Sequence, residues 1–189
     1  MNLPNKLTIA RVVAVPFYVA FMLISAVPYN YLWAFILFAA ASITDMIDGK
    51  IARKSGLVTD LGKFLDPLAD KVLVSAALIC MVELGWTASY LVIIIISREF
   101  IVSALRLAAA SSNDRTVIAA GIWGKLKTAF TMGAICIITV LHILLDNFLV
   151  LDASFPVGII SDILMWISTV LTIISGVIYI ISYRHLLKG

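Results

Sequence analysis

Four carboxylates, Asp45, Asp48, Asp66 and Asp70, stand within a short stretch of an otherwise strongly apolar chain. The first half of the stretch reads Asp45-Met-Ile-Asp48-Gly49-Lys-Ile-Ala52-Arg53, and after eight residues the second reads Gly62-Lys-Phe-Leu-Asp66-Pro-Leu-Ala-Asp70. On a helix, Asp45, Asp48, Gly49, Ala52 and Arg53 fall at i, i+3, i+4, i+7 and i+8, which is one face. Gly62, Asp66 and Asp70 fall at i, i+4 and i+8, again one face. Carboxylates crowded together raise one another's pKa and repel, and a divalent cation removes that conflict. Hard oxygen donors without His or Cys suit Mg²⁺ or Mn²⁺ rather than zinc. Two such ions roughly 4 Å apart would clamp phosphate oxygens. Gly49, Ala52 and Gly62 leave room for a ligand near the backbone, and Arg53 offers a planar fork for phosphate. The alternative, solvated helix ends, gives no reason for charges to share a face with small residues, and ionisable groups within membrane segments are functional by default.

The elements that carry this stripe belong to a membrane protein. Of 189 residues 62% are hydrophobic and 13% charged, far from soluble usage. Six apolar segments near 12–27, 30–53, 61–83, 87–110, 125–146 and 157–182 each approach the roughly 20 residues that cross a bilayer. Turn signals separate them at Pro28-Tyr-Asn30, Ser55-Gly56, Gly85, Ser111-Ser-Asn-Asp114 and Phe155-Pro156. The first is read as a retained span rather than a signal peptide, since no small-x-small cleavage site follows it. Residues 2–11 read as a short interfacial helix with Pro4 in its first turn. The expected fold is therefore all-α and polytopic, six transmembrane helices plus a short N-terminal interfacial helix, with residues 1–189 forming one domain. Cys80 and Cys136 sit in apolar runs and read as small buried hydrophobes. No nucleic-acid motif is present.

The net charge of +3 is small, so its distribution carries the information. Lys6 and Arg11 precede the first span. Lys50, Arg53, Lys54, Lys63 and Lys71 flank the second loop, and Arg106, Arg115, Lys125 and Lys127 flank the fourth. Arg184 and Lys188 follow the last span, whereas the other loops hold Glu83, Asp146 and Asp152 and no Lys or Arg. This asymmetry predicts both termini and the carboxylate stripe on the cytoplasmic side. Tyr29, Tyr31, Trp33, Trp86, Tyr90 and Trp166 would then form an outer interfacial belt. Arg98-Glu99 lies inside the fourth span, where charge is costly unless paired or lining a polar cavity; a structural ion pair and a role beside the site both fit. Arg106, Lys125 and Lys127 are positioned to converge on the cytoplasmic side as a phosphate pocket, with Arg11 and Arg184 as further candidates.

The spacing Asp-x2-Asp-Gly-x2-Ala-Arg-x8-Gly-x3-Asp-x3-Asp resembles the signature of the CDP-alcohol phosphotransferase family, and all eight fixed positions are present. The resemblance implies a six-helix membrane enzyme holding two Mg²⁺ or Mn²⁺ ions. It assigns Asp45, Asp48 and Asp66 chiefly to metal, and Asp70 to the second metal and to general-base work on the acceptor hydroxyl. Gly49, Ala52, Arg53 and Gly62 would line the nucleotide site. Asn5, Thr8 and Arg11, three residues apart, resemble a trio that the family places near the nucleotide. Asn-Leu-Pro-Asn-Lys-Leu-Thr at the start, Ser-Arg-Glu-Phe-Ile-Val-Ser-Ala-Leu-Arg in the fourth span and Gly-Lys-Leu-Lys-Thr before the fifth resemble the family's phosphatidylglycerophosphate-forming branch. That branch implies CDP-diacylglycerol and sn-glycerol 3-phosphate as substrates, a bacterial plasma membrane surrounding the protein, and, by analogy, a homodimer. The alternatives are a sister activity (phosphatidylinositol phosphate or cardiolipin synthesis) and, in a different class, a Mg²⁺ transporter. A transporter would show a polar path or broken helices at the midplane, whereas these carboxylates gather at one end of their spans.

Overall fold

A computed structural model describes the backbone of residues 3–55, 60–111, 121–152 and 154–182, with side chains described for these except 3–8, 45–70 and 107–111. Among the described residues there are helices and turns and no strand: α1 Leu3–Leu23, α2 Asn30–Ser55, α3 Asp60–Glu83, α4 Ser89–Ser111, α5 Ile122–His142 running on into a π-helical turn Ile143–Asn147, and α6 Val157–Ser182. The starts of α2 and α6 and the ends of α2, α3 and α4 fall at the sequence's turn signals. Gly85 closes α3 with φ +72, and the Leu84 amide still bonds back to the Cys80 carbonyl at 2.9 Å, a helix end that glycine favours.

The sequence separates an interfacial helix over 2–11 from a first span over 12–27. The structure instead joins them into the single helix α1, which ends at Leu23. Nothing between Thr8 and Val13 breaks a helix. Pro16 stands inside α1, where it costs one backbone bond that membrane helices tolerate.

Two of the elements, Ile122–Asn147 and Val157–Ser182, are long and apolar enough to cross a membrane. Each has 26 residues, about 39 Å at 1.5 Å per residue, against a hydrocarbon core of roughly 30 Å. Large apolar side chains such as Phe17, Ile79, Ile93, Ile159 and Ile181 lie on outer surfaces, where lipid suits them better than water.

The chain divides into two compact units. The first comprises Met1–Leu84 and Ile135–Val157. In it α1 packs on both α2 and α3, and α2 also meets α3 and the π-helical turn. Its core is built at helical spacing from Tyr18 and Met22 of α1, Ala34, Phe38 and Ala41 of α2, and Leu73, Ala77 and Met81 of α3. The rings of Tyr18 and Phe38 lie 5.9 Å apart. At one end Asn147 donates to the Asn30 side-chain oxygen at 3.1 Å, and Tyr29 packs on Phe148.

The second unit comprises Gly85–Ala134 and Gly158–Gly189. Leu91, Val92, Ile95 and Val102 give α4 a buried face. The matching face of α6 is polar and small: Ser161, Ser168, Thr172 and Ser175, with Met165 and Tyr179 in the same three-and-four rhythm, are all buried. Small side chains let helix backbones approach closely in lipid. Thr131 and Ser168 share a hydroxyl bond of 2.6 Å, which ties α5 to α6.

Candidate active site

Both halves of the aspartate stripe are helical. Asp45, Asp48, Gly49, Ala52 and Arg53 lie on α2, while Gly62, Asp66 and Asp70 lie on α3. At about 100° per residue the five α2 positions span an arc of about 140° and the three α3 positions about 80°. The two helices belong to one compact unit and are braced by α1. The side chains of these eight residues, and of Asn5 and Thr8, lie outside the described residues, as does Arg184 altogether. The register is thus what the site's chemistry rests on: hard oxygen donors from two helices, with glycine and alanine interleaved, a donor set that fits Mg²⁺ or Mn²⁺.

The basic candidates separate. Arg11 is buried on α1 in the first unit. Arg106, Lys125 and Lys127 belong to the second. There Lys127, buried on α5, makes an ion pair with Glu99 of α4. Glu99 also lies 3.5 Å from the Arg98 guanidinium. Arg98 in turn donates from Nη2 to the Ser175 hydroxyl of α6 at 2.5 Å. Arg106 donates from Nη2 to the hydroxyl of Tyr179. Both guanidiniums lie over the Tyr179 ring, 5.4 Å from its centre for Arg98 and 4.9 Å for Arg106. Lys125 is exposed.

The result is one connected polar cluster among α4, α5 and α6. Among the described residues, Arg98, Arg106 and Lys127 supply three cations to it and Glu99 one carboxylate. Charge among apolar helices is costly unless paired or lining a polar site. Among the described residues Arg106 also keeps a buried Nε–H with no hydrogen-bond partner, a donor that costs about 1–3 kcal/mol if left unmet. Beside the cluster a mostly apolar cavity of about 110 Å³ is lined by Gly121, Trp123, Gly124, Ser175, Ile178, Tyr179 and Ser182.

Tyr179, Ser175 and Gly176 are absent from the sequence-derived candidates. The available signal is the small-polar rhythm of α6, Ser161, Ser168, Thr172, Ser175 and Tyr179, in a helix otherwise rich in Ile and Val. Arg98-Glu99 is a bridge among three helices: Arg98 holds Ser175 and Glu99 holds Lys127.

Among the described residues the architecture is all-helical, and two helices long and apolar enough to cross a membrane suggest a membrane protein. The model of the CDP-alcohol phosphatidyltransferase family matches residues 1–174. The chain is 43% identical to the CDP-diacylglycerol–glycerol-3-phosphate 3-phosphatidyltransferase of Bacillus subtilis (strain 168), covering 93% of this chain and 91% of the relative. Proteins of the same name from Rickettsia bellii and Haemophilus influenzae are 39% and 46% identical, covering 94% and 71% of this chain and 93% and 73% of theirs. The chain belongs to the CDP-alcohol phosphatidyltransferase family.

Proposed function

We propose that the protein transfers the phosphatidyl group of CDP-diacylglycerol to sn-glycerol 3-phosphate, yielding phosphatidylglycerophosphate and CMP. The observation that carries this reading is the helical placement of all eight fixed signature positions on α2 and α3, within one compact unit. The names of the relatives supply the acceptor, and the arginines of the α4–α5–α6 cluster suit its dianionic phosphate.

Asp45, Asp48, Asp66 and Asp70 would hold a pair of Mg²⁺ or Mn²⁺ ions. When bound, these supply charge neutralisation at the pyrophosphate and on the departing CMP. Gly49, Ala52, Arg53 and Gly62, with Asn5 and Thr8, receive the cytidine nucleotide. Arg106 receives the acceptor phosphate, with Lys125, Arg11 and Arg184 as lesser contributors and Lys127 acting through Glu99. The acceptor hydroxyl oxygen attacks the lipid-side phosphorus in line. As that O–P bond forms, the P–O bond to CMP breaks and the hydroxyl proton passes to an Asp70 carboxylate oxygen. Asp70 need not match the pKa of a free alcohol, because the proton moves as the new bond forms.

The whole chain works as one membrane domain of six spans, with the N-terminal turns of α1 at the interface. It resides in the bacterial plasma membrane as a homodimer, by analogy with the family, with its site on the cytoplasmic side, a reading that the basic-loop asymmetry supports.

The test is purified protein with labelled CDP-diacylglycerol and a panel of acceptors. CMP release with sn-glycerol 3-phosphate, and not with inositol phosphate or phosphatidylglycerol, is expected, and EDTA in excess should abolish it. Release with a different acceptor alone overturns the acceptor. Undiminished turnover in metal-free buffer overturns the metal pair.

A further inference from the structure

One residue that meets two cations of the cluster is uncharged. Tyr179 is buried on α6, and it meets both arginines of α4. Its hydroxyl accepts from Arg106 Nη2, while its ring face lies under both guanidiniums. One turn earlier, Ser175 accepts from Arg98. Next to it, a Cβ at position 176 would stand 3.0 Å from Arg98 Cγ, so glycine leaves the arginine stem its room. Two guanidiniums brought to one place repel each other. A shared aromatic face offsets this through its negative quadrupole without neutralising either charge.

We propose that Tyr179 is a positioning residue for acceptor recognition: it holds Arg106, with Arg98 beside it, so that the unmet Nε–H of Arg106 is presented to a phosphate oxygen. The inference rests on the proposed reaction and deepens it. A carboxylate at position 179 would hold the arginines more tightly, but it would cancel the charge that a dianionic acceptor needs. A leucine would fill the space and orient nothing. Tyrosine supplies an acceptor atom and a cation-binding face while remaining neutral. A ring with a purely packing role would have no need of a hydroxyl, and a buried hydroxyl is disfavoured unless bonded.

Two variants divide the contributions. Tyr179→Phe keeps the ring and removes the acceptor for Arg106. Tyr179→Leu removes the ring face as well. In the full chain in detergent, Tyr179→Phe should raise KM for sn-glycerol 3-phosphate roughly tenfold, the scale of one hydrogen bond to a charged group. The KM for CDP-diacylglycerol, kcat and the unfolding temperature should stay near wild type. Tyr179→Leu should raise the acceptor KM further. Direct binding of glycerol 3-phosphate should weaken in the same order. A Phe variant with wild-type acceptor KM and binding overturns the proposal, as does one whose two KM values and unfolding temperature worsen together, which is the mark of a packing role. Wild-type protein that releases no CMP with glycerol 3-phosphate overturns the proposed reaction and this inference with it. An active wild type with an unaffected Phe variant removes Tyr179 alone.

Discussion

Asp70 is assigned two tasks, holding a metal and taking a proton, and a single substitution separates them. Asparagine keeps the shape and one ligand oxygen but cannot act as a base. Asp70→Asn should therefore lose turnover while retaining much of its CDP-diacylglycerol binding, measured by titration in detergent. Asp45→Asn, on the metal side alone, should lose both. Equal loss of binding and rate in Asp70→Asn would make it only a ligand. Arg106→Ala should raise the acceptor KM by roughly tenfold to more than a hundredfold, as removal of a charge-assisted contact of about 1.5–3 kcal/mol implies, and leave CDP-diacylglycerol binding intact. An unchanged acceptor KM would relocate the phosphate site. At this scale the placement of the aspartates along one face of each helix was legible because their pattern is local: spacing within one helix is enough to align them. The contact of Tyr179 with Arg106 was not, because it arises only when residues 73 positions apart in sequence come together.

Among the elements, α4 is tied through charged side chains to both α5 and α6. Its Glu99 balances Lys127 of α5 and borders Arg98, and its Arg98 reaches α6. Removing one partner of a buried pair leaves an uncompensated charge and costs about 3–5 kcal/mol, whereas an apolar pair of similar size is often tolerated. Glu99→Ala should lower the unfolding midpoint in detergent markedly, and Glu99→Met combined with Lys127→Met should recover most of it. A double variant as unstable as the single would show that the ion pair itself is needed. Helix positions were readable from apolar runs and turn signals, and α6 begins and ends where the sequence places the last span. The continuity of α1 was not readable, because an amphipathic start and an apolar continuation suggest two environments even where no breaker intervenes. Nor was the π-helical turn after His142, whose Phe148 amide reaches back to Ile143 at 3.0 Å; an i to i+5 bond has no composition of its own.

For the molecule as a whole, the basic-loop asymmetry predicts that the turn after α3 and the segment after the π-helical turn face outward. Ser89 and Leu149 are both exposed. Single cysteines there, with Cys80 and Cys136 replaced, should react with an impermeant reagent added to intact cells, while one at Ser55 should not. Labelling at Ser55 from outside would invert the topology. The bridge made by Arg98 and Glu99 also bears on how the chain is born. A translocon weighs each helix as it emerges, and an arginine or an acidic residue at mid-helix adds about 2.5–3.5 kcal/mol against entry. α4 carries Arg98, Glu99 and Arg106, whereas the apolar α5 and α6, which bring Lys127, Ser175 and Tyr179, are synthesised after it. With α4 as the fourth span of the proposed topology, a nascent chain stopped just beyond it should therefore sit poorly in the bilayer and be open to degradation until the last two helices arrive, so that completion of synthesis would itself commit that helix to the membrane.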